Sequence, residues 1–525
     1  MSIKTRVAAS LAGLVCLLGV VACSSSTSHG ARHVVLVVWD GMRPDMVSET
    51  NSPSLWKLGR EGVTFRNHHS AYPSATNING TVMATGMQPG HSGLIANMEF
   101  RSAINAGAPF DTADAASIDK GDALPGSSYL LVPTIAELLH SAGQRTAIAG
   151  TKTVATLFDR PAQRSSVAAK DSPVVAMGHA QPADIAAALR NSLGAFPPKQ
   201  TPNAPQDEWT VRALVDTFWQ DDVPPFSVLW LSDPDFAQHD TAPGSPAALA
   251  GIRNSDAHLA QVLAALEAKG VRDDTDIFVV SDHGFSTVDR SVDVPALLNN
   301  AGFEAVKEFT GERKPGTILV VGNGGTVLFY ITGSDPAVAR RLVEWLQQTD
   351  FAGVIFAEEE FDGAFTFSDA HLEKSDGSDA PDVVMAFRWN DQPNEFAVPG
   401  MINADWNRAA GKGTHATLSK FDIHNTLLAA GPDLRRGFLD ELPTGNVDLA
   451  PTILKILDVD AGEPFDGRVL AEALKSGDQK PAETRSETMR TERNFGSSRW
   501  RQYLKISQVG EYRYFDEGNG SASAD

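Results

Sequence analysis

Three short, mostly apolar runs, each followed by a carboxylate, constrain the fold of this chain more than any other feature. They are HVVLVVW before Asp40, FSVLWL before Ser232-Asp233, and DIFVVS before Asp282-His283. Short apolar runs rich in β-branched residues are typical of strands that are buried on both faces, as in a parallel sheet. Helix-like stretches separate these runs, so the order of elements predicts an α/β fold around a mostly parallel central sheet.

The pattern changes within residues 292–381. Short helix-like segments alternate there with the strand-like segments 317–321 and 326–331. We expect an inserted α+β subdomain at 292–381, between a first part of the core at 33–291 and a second part at 382–475. A polar C-terminal extension follows at 476–525. Tyrosine-containing segments within it are compatible with a hairpin, and we expect residues 518–525 to fray.

Residues 1–22 have the features of an export signal. Lys4 and Arg6 precede an apolar run that is too short for a membrane span, and the segment VVAC at 20–23 resembles a bacterial lipobox. We expect a lipid on Cys23, a flexible tether at 23–32, and attachment to the outer membrane facing the periplasm. The alternatives are a plain signal peptide with a secreted periplasmic product, and an uncleaved anchor.

Composition limits both the chemistry and the partners of the chain. Cys16 and Cys23 are the only cysteines, and both lie in or beside the signal, so the mature chain has no thiol chemistry. The net charge is −21, and it becomes −23 when Lys4 and Arg6 are removed. Such a chain repels polyanions, which excludes an extended nucleic-acid footprint but leaves room for a small phosphorylated substrate.

Metal-ligating side chains follow the predicted strands. Open α/β sheets bind their ligands at the carboxyl ends of the strands. Each residue alone has an ordinary explanation, such as a turn, a surface pair or a helix cap. Together they supply three carboxylates and three imidazoles, which suit Zn²⁺, with other divalent metals possible. These residues are Asp40, Asp235, His239, Asp282, His283 and His415.

Five segments of the chain occur in an order that is similar to a known superfamily. They are VVLVVWDGMRPD, YPSATNINGTVMATGMQPGHSGLIAN, DPDFAQHD, VVSDHGF and GTHATLSKFDIHNTLLAAGPD, and they span residues 34–433. This order resembles the alkaline phosphatase superfamily, in particular its nucleotide pyrophosphatase/phosphodiesterase branch, which is close to phosphonoacetate hydrolase. The resemblance implies an alkaline-phosphatase-like fold and a metal-dependent hydrolase.

The resemblance also implies roles for individual residues. Thr76 corresponds to the nucleophile and to a metal-bridging oxygen, Ser74 to a non-nucleophilic position, and Asn97 to a contact with a phosphoryl oxygen. Two zinc ions are implied, one held by Asp235, His239 and His415 and the other by Asp40, Asp282 and His283. Metal coordination lowers the pKa of an oxygen, so an attack by Thr76 that gives a phospho-threonine intermediate is chemically reasonable.

Lys152 follows another predicted strand, where a substrate contact and a solvated loop lysine are equally compatible with the sequence. Asp233 competes with Asp235 as a ligand, and the resemblance favours Asp235. The expected function is hydrolysis of phosphodiester or pyrophosphate bonds. One alternative is a phosphomonoesterase or phosphonoacetate-type hydrolase that uses the same metals. The other is a non-catalytic, lipid-anchored protein that binds phosphate.

Overall fold

The computed structural model describes residues 32–125, 128–160, 164–374, 379–477 and 483–524. The predictions for the export signal and for Cys16 and Cys23 lie outside these residues. Within the described ranges, no helix combines the length and the apolar character needed to span a membrane.

A nine-stranded sheet forms the centre of the molecule. Its strands, in order across the sheet, are Phe438–Gly445, Val63–His69, Leu427–Ala430, Thr275–Val280, His33–Trp39, Phe226–Leu231, Thr146–Gly150, Val174–Ala176 and His179–Gln181. The strand His33–Trp39 runs parallel to both of its neighbours. Leu427–Ala430 is antiparallel to both of its neighbours. The edge strand His179–Gln181 is antiparallel to Val174–Ala176. The predicted α/β class is confirmed, with a sheet that is mixed rather than purely parallel.

Both faces of the strand His33–Trp39 are covered. Val34, Leu36 and Val38 belong to the apolar core that includes Ile78 and Val82 of the helix Thr76–Thr85. The alternate residues Val35, Val37 and Trp39 belong to the core on the other face, which includes residues of the helix Pro246–Ala268. Because successive side chains of a strand point to opposite faces, burial on both sides requires the continuous apolar run seen in the sequence.

Helices flank the central sheet. The longer ones are Pro53–Glu61, Thr76–Thr85, Ala115–Asp122, Ile135–Ser141, Ala183–Leu193, Ala204–Arg212, Asp235–Asp240, Pro246–Ala268 and Leu449–Ile456. The helix Ile135–Ser141 begins two residues later than its Pro133 suggested, because Thr134 and Glu137 form a capping box at its start.

A six-stranded sheet occupies the inserted region. Its strands, in order, are Ala305–Val306, Ile318–Gly322, Thr326–Ile331, Val383–Phe387, Ala352–Ala357 and Phe365–Thr366, and its helices are Val294–Asn300 and Pro336–Leu346. The sequence placed the return to the core at Asp382. The strand Val383–Phe387 instead pairs on both sides within this sheet, and all five of its residues are buried there.

Three smaller sheets are also present among the described residues, one of them the two-stranded pair Met98–Glu99 and Phe110–Asp111. Another contains Trp389–Pro393, Pro399–Asp405, Ser286–Val292 and Gly413–Thr414. The third, which we call the C-terminal sheet, contains Thr484–Asn494, Ser498–Val509 and Tyr512–Ala524. The expectation that residues 518–525 fray is wrong as far as Ala524, because the last strand pairs with its neighbour up to that residue. Trp500 of this sheet lies in the core of the six-stranded sheet.

Candidate active site

The predicted ligands lie at one edge of the central sheet. Asp40 follows the strand His33–Trp39 directly, and Asp282 lies two residues after the strand Thr275–Val280. Asp235 is the first residue of the helix Asp235–Asp240, so His239 lies one helical turn later on the same side. His415 follows the short strand Gly413–Thr414.

The ligand atoms form two clusters. Asp235, His239 and His415 each offer an oxygen or nitrogen atom within 4.8 Å of the other two. Asp40, Asp282 and His283 form a second group by the same measure. The rings of His283 and His415, one from each cluster, stack with their centroids 3.6 Å apart. The two clusters are therefore adjacent and constitute one site.

Each imidazole of the site is oriented by a backbone carbonyl. His239 donates from Nδ1 to Gly413 (2.9 Å), His283 to Gly284 (2.8 Å) and His415 to Ser74 (2.9 Å). A carbonyl oxygen accepts only, so the hydrogen lies on Nδ1 in all three rings and Nε2 is directed into the site. This is the arrangement that metal-binding histidines adopt in proteins.

The carboxylates provide an independent test of whether metal ions fit. Asp40 Oδ1, Asp235 Oδ1 and Asp282 Oδ2 are buried and have no hydrogen-bond partner among the described residues. An unsatisfied buried carboxylate oxygen is costly unless a cation neutralises it. The donor set of carboxylate oxygens and imidazole nitrogens suits a divalent ion such as zinc. The residues present therefore fit two metal ions.

Thr76 lies beside both clusters. It is the first residue of the helix Thr76–Thr85, and its Oγ1 is 3.2 Å from His283 Nε2. The hydroxyl of Ser74, two residues earlier, donates a hydrogen bond of 2.8 Å to the carbonyl of Thr417 and is therefore engaged in a structural contact. The start of a helix carries partial positive charge, which favours an alkoxide or a bound phosphate at this position.

Asn97 lies across from the same helix. Its Oδ1 accepts a hydrogen bond of 2.8 Å from the backbone N–H of Asn77, so its amide hydrogens remain for another acceptor. Glu99 holds this loop by accepting from the N–H groups of Ile95 (2.5 Å) and Ala96 (3.1 Å). Glu99 is a positioning residue that the sequence analysis missed, because nothing local distinguishes it from a surface acid.

The charge of Glu99 is balanced inside the protein. Burial raises the pKa of this carboxyl, but the charges of Lys374 and Arg101 outweigh burial and bring it to about 2. Arg101 also donates to the carbonyls of Gly93 and Tyr129. Arg101 is therefore a structural residue of this loop.

Lys152 bridges the two clusters. Its Nζ is 2.9 Å from Asp40 Oδ2, 2.8 Å from Asp235 Oδ2 and 3.5 Å from Thr76 Oγ1. Burial lowers the pKa of this ammonium, but the charges of Asp235 and Asp40 raise it above its ordinary value. The reading of Lys152 as a solvated loop lysine is therefore wrong, because its side chain is only 15% exposed and its ammonium lies between carboxylates of both clusters.

A cavity of about 370 Å³ opens onto this site. Lys152, Lys199 and Arg408 contribute positive charge to its lining, and Phe236 contributes an aromatic face. Lys199 Nζ lies 3.9 Å from the centroid of the Phe236 ring. The described residues of the inserted region do not line this cavity.

The inserted region nevertheless supports the loops of the site. Gly325 N–H donates to the carbonyl of His415 (2.8 Å), and the Thr326 hydroxyl donates to the carbonyl of Ala416 (2.6 Å). Asn323 both accepts from Met98 N–H and donates to the Met98 carbonyl, beside Asn97. No sequence pattern predicts these contacts, since they join positions far apart in the chain.

Asp233, which competed with Asp235 as a ligand, and two further histidines have other partners. Asp233 is buried and accepts from the N–H groups of Asn203 and Ala237, so it shapes the loop before Asp235. His91 is exposed and contacts Asp466 at 2.7 Å, away from the clusters. His140 is buried against Thr146. None of these three side chains belongs to either cluster among the described residues.

The fold and the site together define a phosphoric ester hydrolase of the alkaline-phosphatase-like class. A family model described as type I phosphodiesterase / nucleotide pyrophosphatase matches residues 34–394. The chain belongs to this family, and it is a phosphoric ester hydrolase. No curated protein sequence matches the chain.

Solved structures share the fold. Murine ectonucleotide pyrophosphatase / phosphodiesterase 5 has a TM-score of 0.58 and 17% identity, over 84% of this chain and 100% of that chain. Its human counterpart has the same TM-score and identity, over 85% and 100%. An inactive threonine-to-alanine variant of the murine protein, in complex with AMP, has a TM-score of 0.58 and 16% identity, over 84% and 100%.

Proposed function

We propose that this hydrolase acts with two zinc ions and through a phospho-threonine intermediate on Thr76. The observation that carries the proposal is the place of the Thr76 hydroxyl, at the start of a helix and 3.2 Å from His283 Nε2, beside both ligand clusters. Bound zinc ions supply positive charge, which lowers the pKa of a hydroxyl and stabilises a departing oxygen. Asp235, His239 and His415 would hold one ion, and Asp40, Asp282 and His283 the other.

The residues of the chain account for two displacement steps. In the first, the Thr76 oxygen bonds to phosphorus, the bond from phosphorus to the leaving oxygen breaks, and the leaving group takes the electron pair. The proton of the hydroxyl passes to solvent or to the leaving group. In the second, water attacks the phosphorus, the bond to Thr76 breaks and the hydroxyl is restored.

Two further groups would bind the reacting phosphoryl group. The start of the Thr76 helix offers it partial positive charge. An amide hydrogen of Asn97 is available to donate to a non-bridging oxygen, since Asn97 Oδ1 is already held by Asn77. In the murine protein a threonine-to-alanine change gives an inactive variant, which was solved in complex with AMP, and a catalytic threonine there supports the role proposed for Thr76.

A second candidate function is favoured by the position of Lys152, whose ammonium lies 3.5 Å from the Thr76 hydroxyl. The lining of the cavity as a whole is mixed in charge, with three cations and three carboxylates, which are Lys152, Lys199, Arg408, Asp111, Asp235 and Asp240. A phosphomonoester or a phosphonate carries a further negative charge that the ammonium of Lys152 would meet. The same metal site and the same nucleophile would serve either substrate class.

For the location of the enzyme, we propose the bacterial cell envelope, with a lipid on Cys23 that anchors the chain to the outer membrane. The lipobox-like segment VVAC at 20–23, at the end of an apolar run, supports this. Expression of the full chain and of Cys23→Ser tests it by fractionation. The parent should sediment with membranes and the variant should not. Equal release of both proteins would contradict the anchor.

The catalytic proposal is tested with the soluble chain that begins at Ser24. Turnover of bis-p-nitrophenyl phosphate, p-nitrophenyl phosphate and a dinucleotide is measured with zinc and with a chelator. Faster diester turnover supports the first candidate, and faster monoester turnover the second. We expect the chelator to remove activity and Thr76→Ala to lower kcat at least about 10³-fold.

Two controls make this test specific. The zinc content of Thr76→Ala should stay near that of the parent, because the six ligand side chains are unchanged. Ser74→Ala removes the neighbouring hydroxyl, which is bonded to Thr417, and should cost about 1 kcal/mol of stability with little change in kcat. A Thr76→Ala enzyme that kept its rate would exclude the phospho-threonine intermediate.

A further inference from the structure

A third group of metal-ligating atoms lies outside the active site. His69, His424 and Asp516 each offer one atom within 4.8 Å of the other two. They come from three separate parts of the chain: the end of the strand Val63–His69, the residue after the helix Lys420–Ile423, and the strand Tyr512–Ala524. His424 lies nine residues after His415 in the same family-resembling segment, but none of the three is among the six predicted ligands of the active site.

The hydrogen bonds of His69 require a cation beside its second ring nitrogen. His69 Nδ1 lies 2.8 Å from the carbonyl oxygen of Thr444, which only accepts, so Nδ1 carries the hydrogen. His69 Nε2 lies 3.0 Å from Asp516 Oδ1. A carboxylate oxygen also only accepts. Either a proton or a metal ion must therefore stand between this nitrogen and this oxygen.

The second imidazole favours a metal ion over a proton. The ring centroid of His424 is 4.6 Å from that of His69. A proton pairs one base with the carboxylate and makes no use of a second imidazole, whereas a divalent ion uses two imidazoles and one carboxylate together. His69, moreover, repeats the arrangement of His239, His283 and His415, with Nδ1 held by a carbonyl and Nε2 facing a carboxylate.

The carboxylate is itself held in place. The Ser507 hydroxyl is 2.9 Å from both oxygens of Asp516 and donates to this carboxylate. The His69 side chain is 1% exposed and that of Asp516 is 20% exposed, so the cluster is enclosed on the side of the core and reaches solvent through the carboxylate. An ion bound here can complete its coordination with water.

We propose that His69, His424 and Asp516 form a third zinc site, with a structural role. The ion would fasten the last strand of the C-terminal sheet to the catalytic core. The site also adjoins the active-site loops: Ser70 N–H donates to the carbonyl of Ile423 (2.8 Å), and Asp422 accepts from Thr417, close to His415. Because none of its ligands belongs to the two active-site clusters, loss of this ion should weaken the attachment of the C-terminal sheet more than it changes the chemistry.

The test compares zinc content and thermal unfolding in the full chain. Asp516→Asn and His424→Gln each remove one ligand. His91→Gln is the matched control, because His91 also pairs with an aspartate, Asp466, at 2.7 Å, but is exposed and outside the cluster. After dialysis with zinc, we expect both variants to bind one zinc ion fewer per chain than the parent. Their zinc-dependent rise in Tm should be smaller, and His91→Gln should match the parent in both readouts.

The difference in zinc content between the parent and the two variants decides whether the third site exists, whatever the activity of the enzyme. Equal zinc content in the parent and in folded Asp516→Asn and His424→Gln would overturn the inference and leave an imidazolium–carboxylate pair. An inactive parent with that one-ion difference would refute the proposed function and keep the third site. An active parent whose variants bind as much zinc as it does would keep the proposed function and refute the third site.

Discussion

At the residue scale, Lys152 combines two roles that are usually separate. Its ammonium contacts one carboxylate of each ligand cluster, Asp40 and Asp235, and lies 3.5 Å from the Thr76 hydroxyl. It can therefore compensate the excess negative charge of the site and meet a phosphate oxygen of the substrate. The additional charge of a monoester makes that substrate more sensitive to the ammonium than a diester.

Replacing Lys152 with methionine should separate the two substrate classes. The methionine keeps the length of the apolar stem and removes the charge, so we expect kcat/KM for p-nitrophenyl phosphate to fall about tenfold more than that for bis-p-nitrophenyl phosphate, equivalent to roughly 1.4 kcal/mol. Lys57→Met is the matched control, since Lys57 is 73% exposed. Equal losses for both substrates would assign Lys152 to the metal clusters alone.

His140 gives the fold a defined sensitivity to acid. Burial, with a contribution from Arg164, lowers the pKa of this imidazole from 6.5 to about 4. The unfolded chain binds a proton more readily than the folded chain between these values. The stabilising effect of the neutral ring is therefore complete above pH 6.5 and declines as the pH falls towards 4. From pH 7 to pH 5 this residue should cost about 2 kcal/mol of unfolding free energy.

The variant His140→Gln isolates this effect. Glutamine can still bond to Thr146 but does not titrate, so the unfolding free energy of the variant should depend less steeply on pH. Urea unfolding at pH 7 and pH 5, with chelator present to remove metal effects, measures the slope. Parallel pH profiles for parent and variant would contradict the assignment of acid sensitivity to His140.

At the scale of elements, the loop that carries Asp282 and His283 packs against the segment 421–424. Gly284 N–H donates to the carbonyl of Asp422, and Phe285 N–H donates to that of Phe421, each at 2.8 Å. A Cβ atom on Gly284 would lie 2.1 Å from the Phe421 oxygen. The close approach of two backbones therefore requires glycine here, and it fixes the position of two metal ligands.

Gly284→Ala should damage both stability and metal binding. The backbone must move to accept the added methyl group, so we expect a loss of at least about 2 kcal/mol of unfolding free energy and a lower zinc content. Gly311→Ala is the control, because no atom lies within 4 Å of its Cβ position. Urea unfolding and metal analysis measure the two effects. A variant as stable and as zinc-rich as the parent would show that the loop tolerates displacement.

Much of the element pattern could be predicted from the sequence because it is local. The apolar runs before Asp40 and Asp282 are the buried parallel strands, and the helix that begins at Thr76 follows its polar turn. The strand Leu427–Ala430 could not be oriented in this way. Its direction depends on pairing with strands that are distant in sequence, and its apolar residues suit either direction.

At the scale of the whole molecule, contacts between distant segments complete the site. The inserted region supports the His415 loop through Gly325 and the Asn97 loop through Asn323. The C-terminal sheet contributes Trp500 to the core of the six-stranded sheet. These contacts join positions separated by long stretches of chain, so the sequence offered no local signal for them. The grouping of His69 with His424 and Asp516 escaped prediction for the same reason.

The sequence predicts the metal-ligating residues better than it predicts the contacts that hold their loops in place. The carboxylates and imidazoles of the two clusters occur in short motifs whose spacing is readable, and the structure brings all six together. The roles assigned to these residues, to Thr76 and to Asn97 stay predictions. They depend on metal ions whose number and identity require measurement.

Anomalous diffraction at the zinc edge, from crystals of the zinc-loaded protein, is the decisive measurement for the two-zinc site. We predict two adjacent anomalous peaks beside Thr76 Oγ1. One should be coordinated by Asp235, His239 and His415, and the other by Asp40, Asp282 and His283. A zinc-loaded crystal with no peak at either cluster, or with a single peak that all six side chains share, would contradict this prediction.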